Sequence, residues 1–245
     1  MLFRSPRDHR SVAREKPEIP QARLSPPERP TRATLAVVEL AAPAPRALVF
    51  DIGRVIVRVD VARALALLGA SANPSADQVW AAIACDPRMR DFQEGRLASR
   101  EWHQHLARRF GLALTFEQFC TAWNAALDSE TILSENLFAE LSRRYRLLLL
   151  SNTDPIHVAH LEANFRFLRH FNARIYSCVA GVSKPDAAIY RQAIAEAGVA
   201  ADQILYIDDA EECVEAGRRA GMQTIRFQSA EQLLNELHQR GILSS

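Results

Sequence analysis

The sequence predicts an α/β protein in which a three-layer sandwich with a central parallel sheet carries an inserted helical cap. Three observations support this fold class. Short apolar runs typical of buried strands recur along the chain, helical patterns separate most of them, and one long segment shows the helical pattern alone. Strands that alternate with helices in this way indicate βαβ units, which pack helices on both faces of a parallel sheet.

Residues 1–45 differ from the rest of the chain in composition. This segment contains eight of the 12 prolines and no sustained hydrophobic periodicity. A segment of this kind cannot bury enough apolar surface to order itself. We therefore expect a disordered, basic, proline-rich tail, with a basic docking arm as the alternative.

The predicted core domain comprises residues 46–60 and 136–245. Its strands are short apolar runs that end in polar residues. These runs are ALVFD (47–51), RLLLLSN (146–152), ARIYSCVAG (173–181), QILYIDD (203–209) and QTIRF (223–227). The helical patterns of this domain lie at 135–144, 155–170, 186–198, 210–221 and 230–241.

Residues 61–135 form the predicted cap. Apolar positions recur at helical spacing throughout the segment, and no strand is evident in it. An all-helical insertion after the first strand would cover the carboxyl ends of the sheet, where ligands bind in open α/β folds. Trp80, Trp102 and Trp123 fall on apolar helix faces, and we interpret them as the core of the cap rather than as stacking platforms for a substrate.

Composition and charge exclude several other classes of protein. No apolar run approaches the roughly 18 to 20 residues of a membrane span. Residues 1–46 hold nine Lys/Arg against five Asp/Glu, and the remainder holds 21 against 24, so a dedicated nucleic-acid-binding protein is not indicated. Four widely spaced cysteines without a C-x-x-C pair indicate reduced thiols, and we expect a cytoplasmic protein that is a monomer or a weak homodimer.

Polar side chains stand at or just after the ends of four predicted strands, and a parallel sheet brings these ends together. They are Asp51, Ser151 with Asn152, Lys184 in the loop after the third strand, and Asp208 with Asp209. Any one of them alone is most simply a solvated loop residue or a helix cap. Together, carboxylates, a lysine and a hydroxyl/amide pair favour a site for a divalent cation and a phosphate.

The segments FDIGRVIV, LLLSNTD, GVSKPD and YIDDAEECVEAGRRAG, in this order, resemble the four signatures of the haloacid dehalogenase superfamily of phosphohydrolases. The resemblance covers residues 46–245. It implies a Mg²⁺-dependent hydrolase of small phosphorylated metabolites that forms an aspartyl-phosphate on Asp51. The first signature, together with the stretch FQEGRLASREWHQHLARRFGLALTFEQFCTAW, also resembles a capped branch typified by bacterial α-D-glucose-1-phosphate phosphatases, so sugar phosphates are one candidate substrate class.

The same resemblance implies roles for the other residues at the strand ends. Ser151 and Asn152 would bind the transferring phosphoryl group, and Lys184 would neutralise both the nucleophile and the phosphate. The metal would be held by Asp51, the backbone carbonyl of Gly53, Asp208 and Asp209. By its spacing from Gly221, Asp209 would be the direct ligand and Asp208 the outer or water-mediated one.

Gly53 departs from the pattern of most superfamily phosphatases, which carry a second aspartate two residues after the nucleophile. That aspartate protonates the leaving oxygen, and such general acid catalysis is typically worth about 10² to 10⁴ in rate. Its absence leaves slow turnover, a substrate with a good leaving group, or a substitute acid as explanations. A positive φ angle is one reason for a glycine at this position.

Several neighbouring residues have two interpretations each. Arg54 contacts a substrate anion or is merely exposed. Asp154, before Pro155, fits a helix N-cap, with substrate contact as the alternative. We interpret His157 and His160 as surface or packing residues, because no third metal ligand lies near them in the sequence.

Three other functions compete with the phosphatase. A haloacid dehalogenase uses the same scaffold without a metal, which the acidic pair argues against. A phospho-accepting receiver module carries its acidic pair after the first strand, whereas here the pair comes last. A catalytically weak or non-catalytic binding protein with this fold stays open, because the acid expected at position 53 is missing.

Overall fold

The computed structural model describes residues 43–69 and 75–244, so the expected tail lies outside the described residues except for 43–45. The strands in these ranges are β1 (Ala47–Phe50), β2 (Val57–Val59), β3 (Leu127–Thr131), β4 (Arg146–Ser151), β5 (Ala173–Tyr176), β6 (Ile204–Asp208) and β7 (Gln223–Arg226). The helices are α1 (Val61–Leu67), α2 (Ala76–Ala84), α3 (Pro87–Gln93), α4 (Ser99–Phe110), α5 (Phe116–Asn124), α6 (Glu135–Leu141), α7 (Pro155–Asn164), α8 (Ser177–Ala180), α9 (Ala187–Ala197), α10 (Glu211–Arg219) and α11 (Ala230–Gln239).

A five-stranded parallel sheet, in the order β5-β4-β1-β6-β7, lies at the centre of the protein. β1 is its middle strand, and Leu48 pairs with Leu147 of β4 on one side and Leu205 of β6 on the other. All four residues of β1 are fully buried, as expected for a strand covered on both faces. The predicted parallel sheet is confirmed.

Helices cover both faces of this sheet and complete the three-layer sandwich. Successive side chains of a strand point to opposite faces. Accordingly, Leu48 and Phe50 enter one apolar cluster with residues of α6, α7 and α11. Ala47 and Val49 enter another cluster with residues of α9 and α10. The alternation of β1 therefore builds a hydrophobic layer on each side of the sheet.

The inserted segment has its own apolar core, but it is not all helical. Helices α1 to α5 enclose a cluster that includes Phe92, Trp102, Phe119 and Trp123, which agrees with the interpretation of two of the tryptophans as cap core. The prediction that 61–135 lacks a strand is wrong, because β3 occupies its end and pairs antiparallel with β2. The sequence of β3, LDSET, has no apolar run and is only partly buried, so it lacks the signature of a core strand.

Two other predicted elements are divided differently in the structure. The run 173–181 is a strand only to Tyr176, after which Ser177–Ala180 forms a short helix. The helical pattern 155–170 ends as an α-helix at Asn164 and continues as the 3₁₀ turn Arg166–His170. Within the described ranges, no helix combines the length and apolar character that a membrane crossing demands.

Candidate active site

The carboxyl ends of the central strands gather the predicted site residues at one edge of the sheet. Asp51 directly follows β1, and its backbone N–H donates to the carbonyl of Ile207 in β6 at 2.9 Å. Ser151 ends β4 and Asp208 ends β6. All three polar side chains are buried.

Lys184 connects two of the carboxylates. Its Nζ donates to Asp51 Oδ1 at 2.7 Å and to Asp208 Oδ2 at 2.6 Å. The lysine side chain is only 4% exposed, so this is a buried cation shared between two buried acids. A single lysine thus orients the carboxylate of Asp51 against that of Asp208.

Asn152 holds the backbone of Lys184 rather than pointing its amide into open space. Its Nδ2 donates to the carbonyl of Lys184 at 2.9 Å, and its Oδ1 accepts from the Lys184 N–H at 2.7 Å. These two bonds fix the loop that carries the lysine. Asn152 therefore acts on the site through Lys184, a role that its position in the sequence did not reveal.

The three acids of the site are close enough to share a cation. One carboxylate oxygen from each of Asp51, Asp208 and Asp209 lies within 4.8 Å of the other two. Hard oxygen donors of this kind are the ligands that Mg²⁺ prefers. The described residues therefore fit a divalent metal, with only Lys184 in contact to balance the charge of the three acids.

Tyr206 also contacts the acidic pair, and sequence reasoning missed it. Its hydroxyl donates to Asp208 Oδ2, while the N–H of Ala210 donates to Oδ1 at 2.8 Å. Both oxygens of Asp208 therefore accept hydrogen bonds from the protein. Asp209, its neighbour, is half-buried. The signal was present in the sequence, because residues two apart on a strand point to the same face.

Burial and charge perturb the titration of this cluster. Burial raises the pKa of Asp51 to about 6, a rise that Lys184 opposes and Asp208 increases. Burial and the adjacent Asp208 carboxylate also raise the pKa of Asp209. Burial alone would lower the pKa of Lys184, but Asp51 and Asp208 outweigh it and raise that pKa. A bound divalent cation would reduce the repulsion among these crowded carboxylates and favour their ionised forms.

Gly53 has an ordinary backbone conformation, so the expectation of a positive φ at this position is wrong. The left-handed residue is its neighbour Arg54, with a φ of 61°. A Cβ added to Gly53 would meet only Val59 Cγ2, at 3.5 Å, which is normal van der Waals contact. Arg54 itself is exposed, and its charge tends to lower the pKa of Asp209.

A cavity of about 160 Å³ adjoins the strand ends and extends beneath the inserted segment. Gly53, Ser151 and Asn152 line one part of it. Side chains of α1, α2, α3 and α5 line much of the remainder. The edge of the sheet that carries the acids thus adjoins a partly open cavity, which Gly53, Ser151 and Asn152 share with side chains of the inserted segment.

Asp154 caps α7 and joins it to the cap. Its Oδ1 accepts from the N–H groups of Ile156 at 2.9 Å and His157 at 3.0 Å. Its Oδ2 accepts from Trp123 Nε1 at 3.0 Å and lies 3.1 Å from His157 Nδ1. The predicted N-cap is confirmed, and His157 is a packing residue that also contacts the carbonyl of Trp123 at 3.2 Å.

Comparisons with known proteins agree with this architecture. The D-ribitol-5-phosphate phosphatase of Bacteroides thetaiotaomicron is 24% identical over 196 residues, which span 78% of this chain and 95% of that protein. A solved haloacid dehalogenase (HAD) family enzyme from the same bacterium has a TM-score of 0.72 at 20% identity, covering 80% of this chain and 99% of its own. The wild-type form of that enzyme in complex with magnesium and inorganic phosphate has a TM-score of 0.68 at 21% identity, covering 76% and 96%.

Because the sequence identity of the two structural matches is low, they support only the fold. The match to a protein family is more direct. Residues 45–221, most of the chain, match the family described as haloacid dehalogenase-like hydrolase. These residues include Asp51 after β1, Lys184 in the loop after α8, and Asp208 at the end of β6. The chain therefore belongs to the haloacid dehalogenase-like hydrolases.

Proposed function

We propose that this protein is a Mg²⁺-dependent hydrolase of small phosphomonoesters that acts through an aspartyl-phosphate on Asp51. One observation carries the proposal: the carboxylate of Asp51 lies 2.7 Å from Lys184 Nζ and shares a cluster with Asp208 and Asp209. The relative named as D-ribitol-5-phosphate phosphatase and the magnesium and phosphate complex of the solved HAD family enzyme support it.

Asp51 supplies the nucleophile. One of its carboxylate oxygens forms a bond to phosphorus as the bond from phosphorus to the leaving oxygen breaks. The leaving oxygen takes up a proton, and the organic group departs as an alcohol. Water then attacks phosphorus, the bond to Asp51 breaks, and inorganic phosphate and a proton are released. Lys184 holds the attacking carboxylate in place, and its positive charge reduces the repulsion between two anions.

The metal would be held by Asp51, Asp209 and the backbone carbonyl of Gly53, with Asp208 as the outer ligand. Asp208 suits that outer position because both its oxygens already accept bonds from the protein. When bound, Mg²⁺ would supply positive charge at the transferring phosphoryl group. Ser151 would donate its hydroxyl to the phosphoryl oxygens, and Asn152 would keep Lys184 in register.

Isotope labelling in a single turnover tests whether water attacks phosphorus or the carboxyl carbon of Asp51. With enzyme in excess over substrate in H₂¹⁸O, attack of water on phosphorus places ¹⁸O in the released phosphate and none in Asp51. Attack on the carbon of an ester intermediate, as in carbon-halogen hydrolysis, would instead place ¹⁸O in the Asp51 carboxylate. Mass spectrometry of the phosphate and of the peptide containing Asp51 distinguishes the two outcomes.

Asp51→Asn provides the matching loss of function. The amide keeps the shape of the side chain but is a far weaker nucleophile, so phosphate release should fall below detection while the melting temperature stays close to that of the wild type. EDTA should abolish the wild-type activity and Mg²⁺ should restore it. Full activity in the variant, or in the chelator, would contradict the proposed function.

A further inference from the structure

The cavity beside the strand ends has two chemically different parts. Its polar part contains Gly53, Ser151 and Asn152, next to the proposed site of phosphoryl transfer. Its larger part is apolar, and six side chains define it: Val61, Leu65, Leu68, Trp80, Met89 and Trp123. A phosphomonoester bound with its phosphate at the polar part would therefore place its organic group among apolar side chains.

The polar side chains in this wall have little hydrogen-bonding capacity left. Asp154 accepts two backbone N–H bonds on Oδ1, and Trp123 Nε1 and His157 share its Oδ2. Both ring nitrogens of His157 are engaged, by Asp154 and by the carbonyl of Trp123. The amide of Asn152 is committed to Lys184. Among the described residues, spare capacity on this side of the cavity lies on Gln93, Thr153 and the indole N–H of Trp80.

A sugar or polyol does not suit such a wall. Each hydroxyl group that enters it gives up its bonds to water and needs a new partner, and an unpaired buried hydroxyl is unfavourable. An apolar group gains free energy from the same burial. The volume of about 160 Å³ is similar to that of a dry cavity lined by aliphatic side chains that binds benzene, which is about 150 Å³.

We propose that this cavity binds the organic group of a phosphomonoester whose alcohol is compact and apolar, about the size of a benzyl or cyclohexylmethyl group. The inference rests on the proposed function, because it assigns the leaving group of that same reaction. It differs from the sugar phosphates that the family resemblance suggests. Selectivity arises from the apolar walls contributed by β2, α1, α2, α3 and α5, not from the phosphate site.

The test compares four esters in saturating Mg²⁺: benzyl phosphate, cyclohexylmethyl phosphate, ribitol 5-phosphate and α-D-glucose 1-phosphate. The first three are esters of primary alcohols, so a preference among them reports on binding more than on the leaving group. We expect kcat/KM for the two apolar esters to exceed that for ribitol 5-phosphate by about tenfold or more, mainly through KM.

A polar substitution in the wall should reduce this preference. Val59 is half-buried in β2 and lines the cavity next to Gly53, and Val59→Thr adds a hydroxyl with almost no change in shape. The ratio of kcat/KM for benzyl phosphate to that for ribitol 5-phosphate should fall about threefold or more. Val179→Thr is the matched control, because Val179 is 77% exposed on α8 and does not line the cavity; its ratio should equal that of the wild type.

The outcomes separate this inference from the proposed function. Mg²⁺-dependent release of phosphate with equal or greater kcat/KM for ribitol 5-phosphate would overturn the apolar leaving group and leave the phosphatase intact. An unchanged ratio in Val59→Thr would also overturn it. Release from none of the four esters would overturn the proposed function, and this inference would fall with it.

Discussion

At the residue scale, position 53 is where the proposed reaction lacks its usual proton donor. The side chain that usually donates this proton in the superfamily is absent, yet the backbone of Gly53 is ordinary and a Cβ there would touch only Val59 at 3.5 Å. Gly53→Asp can therefore place an acid in the site without backbone strain. We expect it to raise kcat on alkyl phosphates by part of the roughly 10² to 10⁴ that a positioned acid supplies.

The measurement is the slope of log kcat against the pKa of the leaving alcohol, for the wild type and the variant, with single-turnover kinetics to confirm that chemistry limits the rate. The wild type should favour acidic leaving groups, and Gly53→Asp should flatten the slope. Gly53→Asn is the matched control, because it adds nearly the same volume without an acidic proton. An equal gain in the asparagine variant would show that the gain does not come from proton donation, and a flat slope in the wild type would show that another group already donates the proton.

The pair Asp154 and His157 contributes stability that depends on pH. Burial opposes ionisation of both groups, but the attraction between them favours the charged form of each. The pKa of Asp154 is therefore lowered from 3.8, and the pKa of His157 is raised from 6.5. The stability from His157 is therefore fully present below pH 6.5 and is lost as pH rises through its folded-state pKa. The stability from Asp154 is present above pH 3.8 and is lost as pH falls through its folded-state pKa.

His157→Gln should thus lower the free energy of unfolding most between pH 4 and pH 6, by about 3 kcal/mol, at the lower end of the cost of breaking a buried ion pair. The deficit should shrink as pH rises above 7. His160→Gln is a suitable control on the same helix, because burial lowers the pKa of His160 and its stability contribution has the opposite dependence on pH. Urea unfolding at a series of pH values measures both, and a deficit that grows with pH would refute the ion pair.

At the scale of elements, the turn between α3 and α4 fastens the cap to the loops of the core. Glu94 is buried, and its Oε1 accepts from the N–H of Ser183 at 3.2 Å. Gly95, with a φ of 71°, lies so close to the core that a Cβ would stand 2.1 Å from the carbonyl oxygen of Cys178. The turn therefore contacts the segment that leads directly to Lys184.

Gly95→Ala should destabilise the protein more than a glycine substitution in the same backbone conformation elsewhere. Gly111→Ala is the control, because Gly111 has a φ of 67° with no atom within 4 Å of the added Cβ. Both variants incur the left-handed penalty of about 1–2 kcal/mol, and Gly95→Ala should lose about 1–3 kcal/mol more from the clash. Chemical denaturation and kcat/KM should both show the difference, and equal losses would mean that the turn does not bear on the core.

The fold could be predicted where burial of a strand produces a continuous apolar run in the sequence. Leu147–Leu150 are fully buried, and a strand covered on both faces reads as a continuous apolar run. β3 has no such run, because it pairs only with β2 in a small two-stranded sheet and keeps polar residues. The run 173–181 misled for a different reason: it stays apolar after β5 ends, although the buried residue of α8 is Ser177 and Val179 is exposed.

The site could be predicted as far as strand ends reveal it. Asp51, Ser151 and Asp208 each end a buried strand, so their proximity follows from the parallel order alone. The bonds from Asn152 to the backbone of Lys184 depend on how two loops meet, which no spacing in the sequence specifies. The cavity wall is likewise a tertiary feature, because most of its side chains come from five helices, α1, α2, α3, α5 and α7, and from the two small strands.

At the scale of the whole molecule, the proposed binding of a metal by the acidic cluster would be coupled to the stability of the fold. Asp51, Asp208 and Asp209 come together only when β1 and β6 pair, so the cluster exists in the folded state alone. A ligand that binds only the folded state stabilises it by about 2.7 kcal/mol at a hundredfold excess over Kd. For a domain of about 150–250 residues, each kcal/mol raises Tm by about 2–4 °C.

Mg²⁺ should therefore raise the melting temperature of the wild type by several degrees, and Asp209→Asn should remove most of that rise. In EDTA the same variant should be as stable as the wild type or more so, because it relieves the repulsion from Asp208 that helps to raise the pKa of Asp209. Asp202→Asn is the control: it removes the same charge from an exposed residue at the opposite end of β6, and it should keep the full response to Mg²⁺.

Scanning calorimetry over a Mg²⁺ titration gives all three curves. A wild-type Tm that ignores Mg²⁺, or an Asp209→Asn variant that responds like the wild type, would show that the three carboxylates do not form the metal site, because a cation bound elsewhere would not distinguish the two ends of β6.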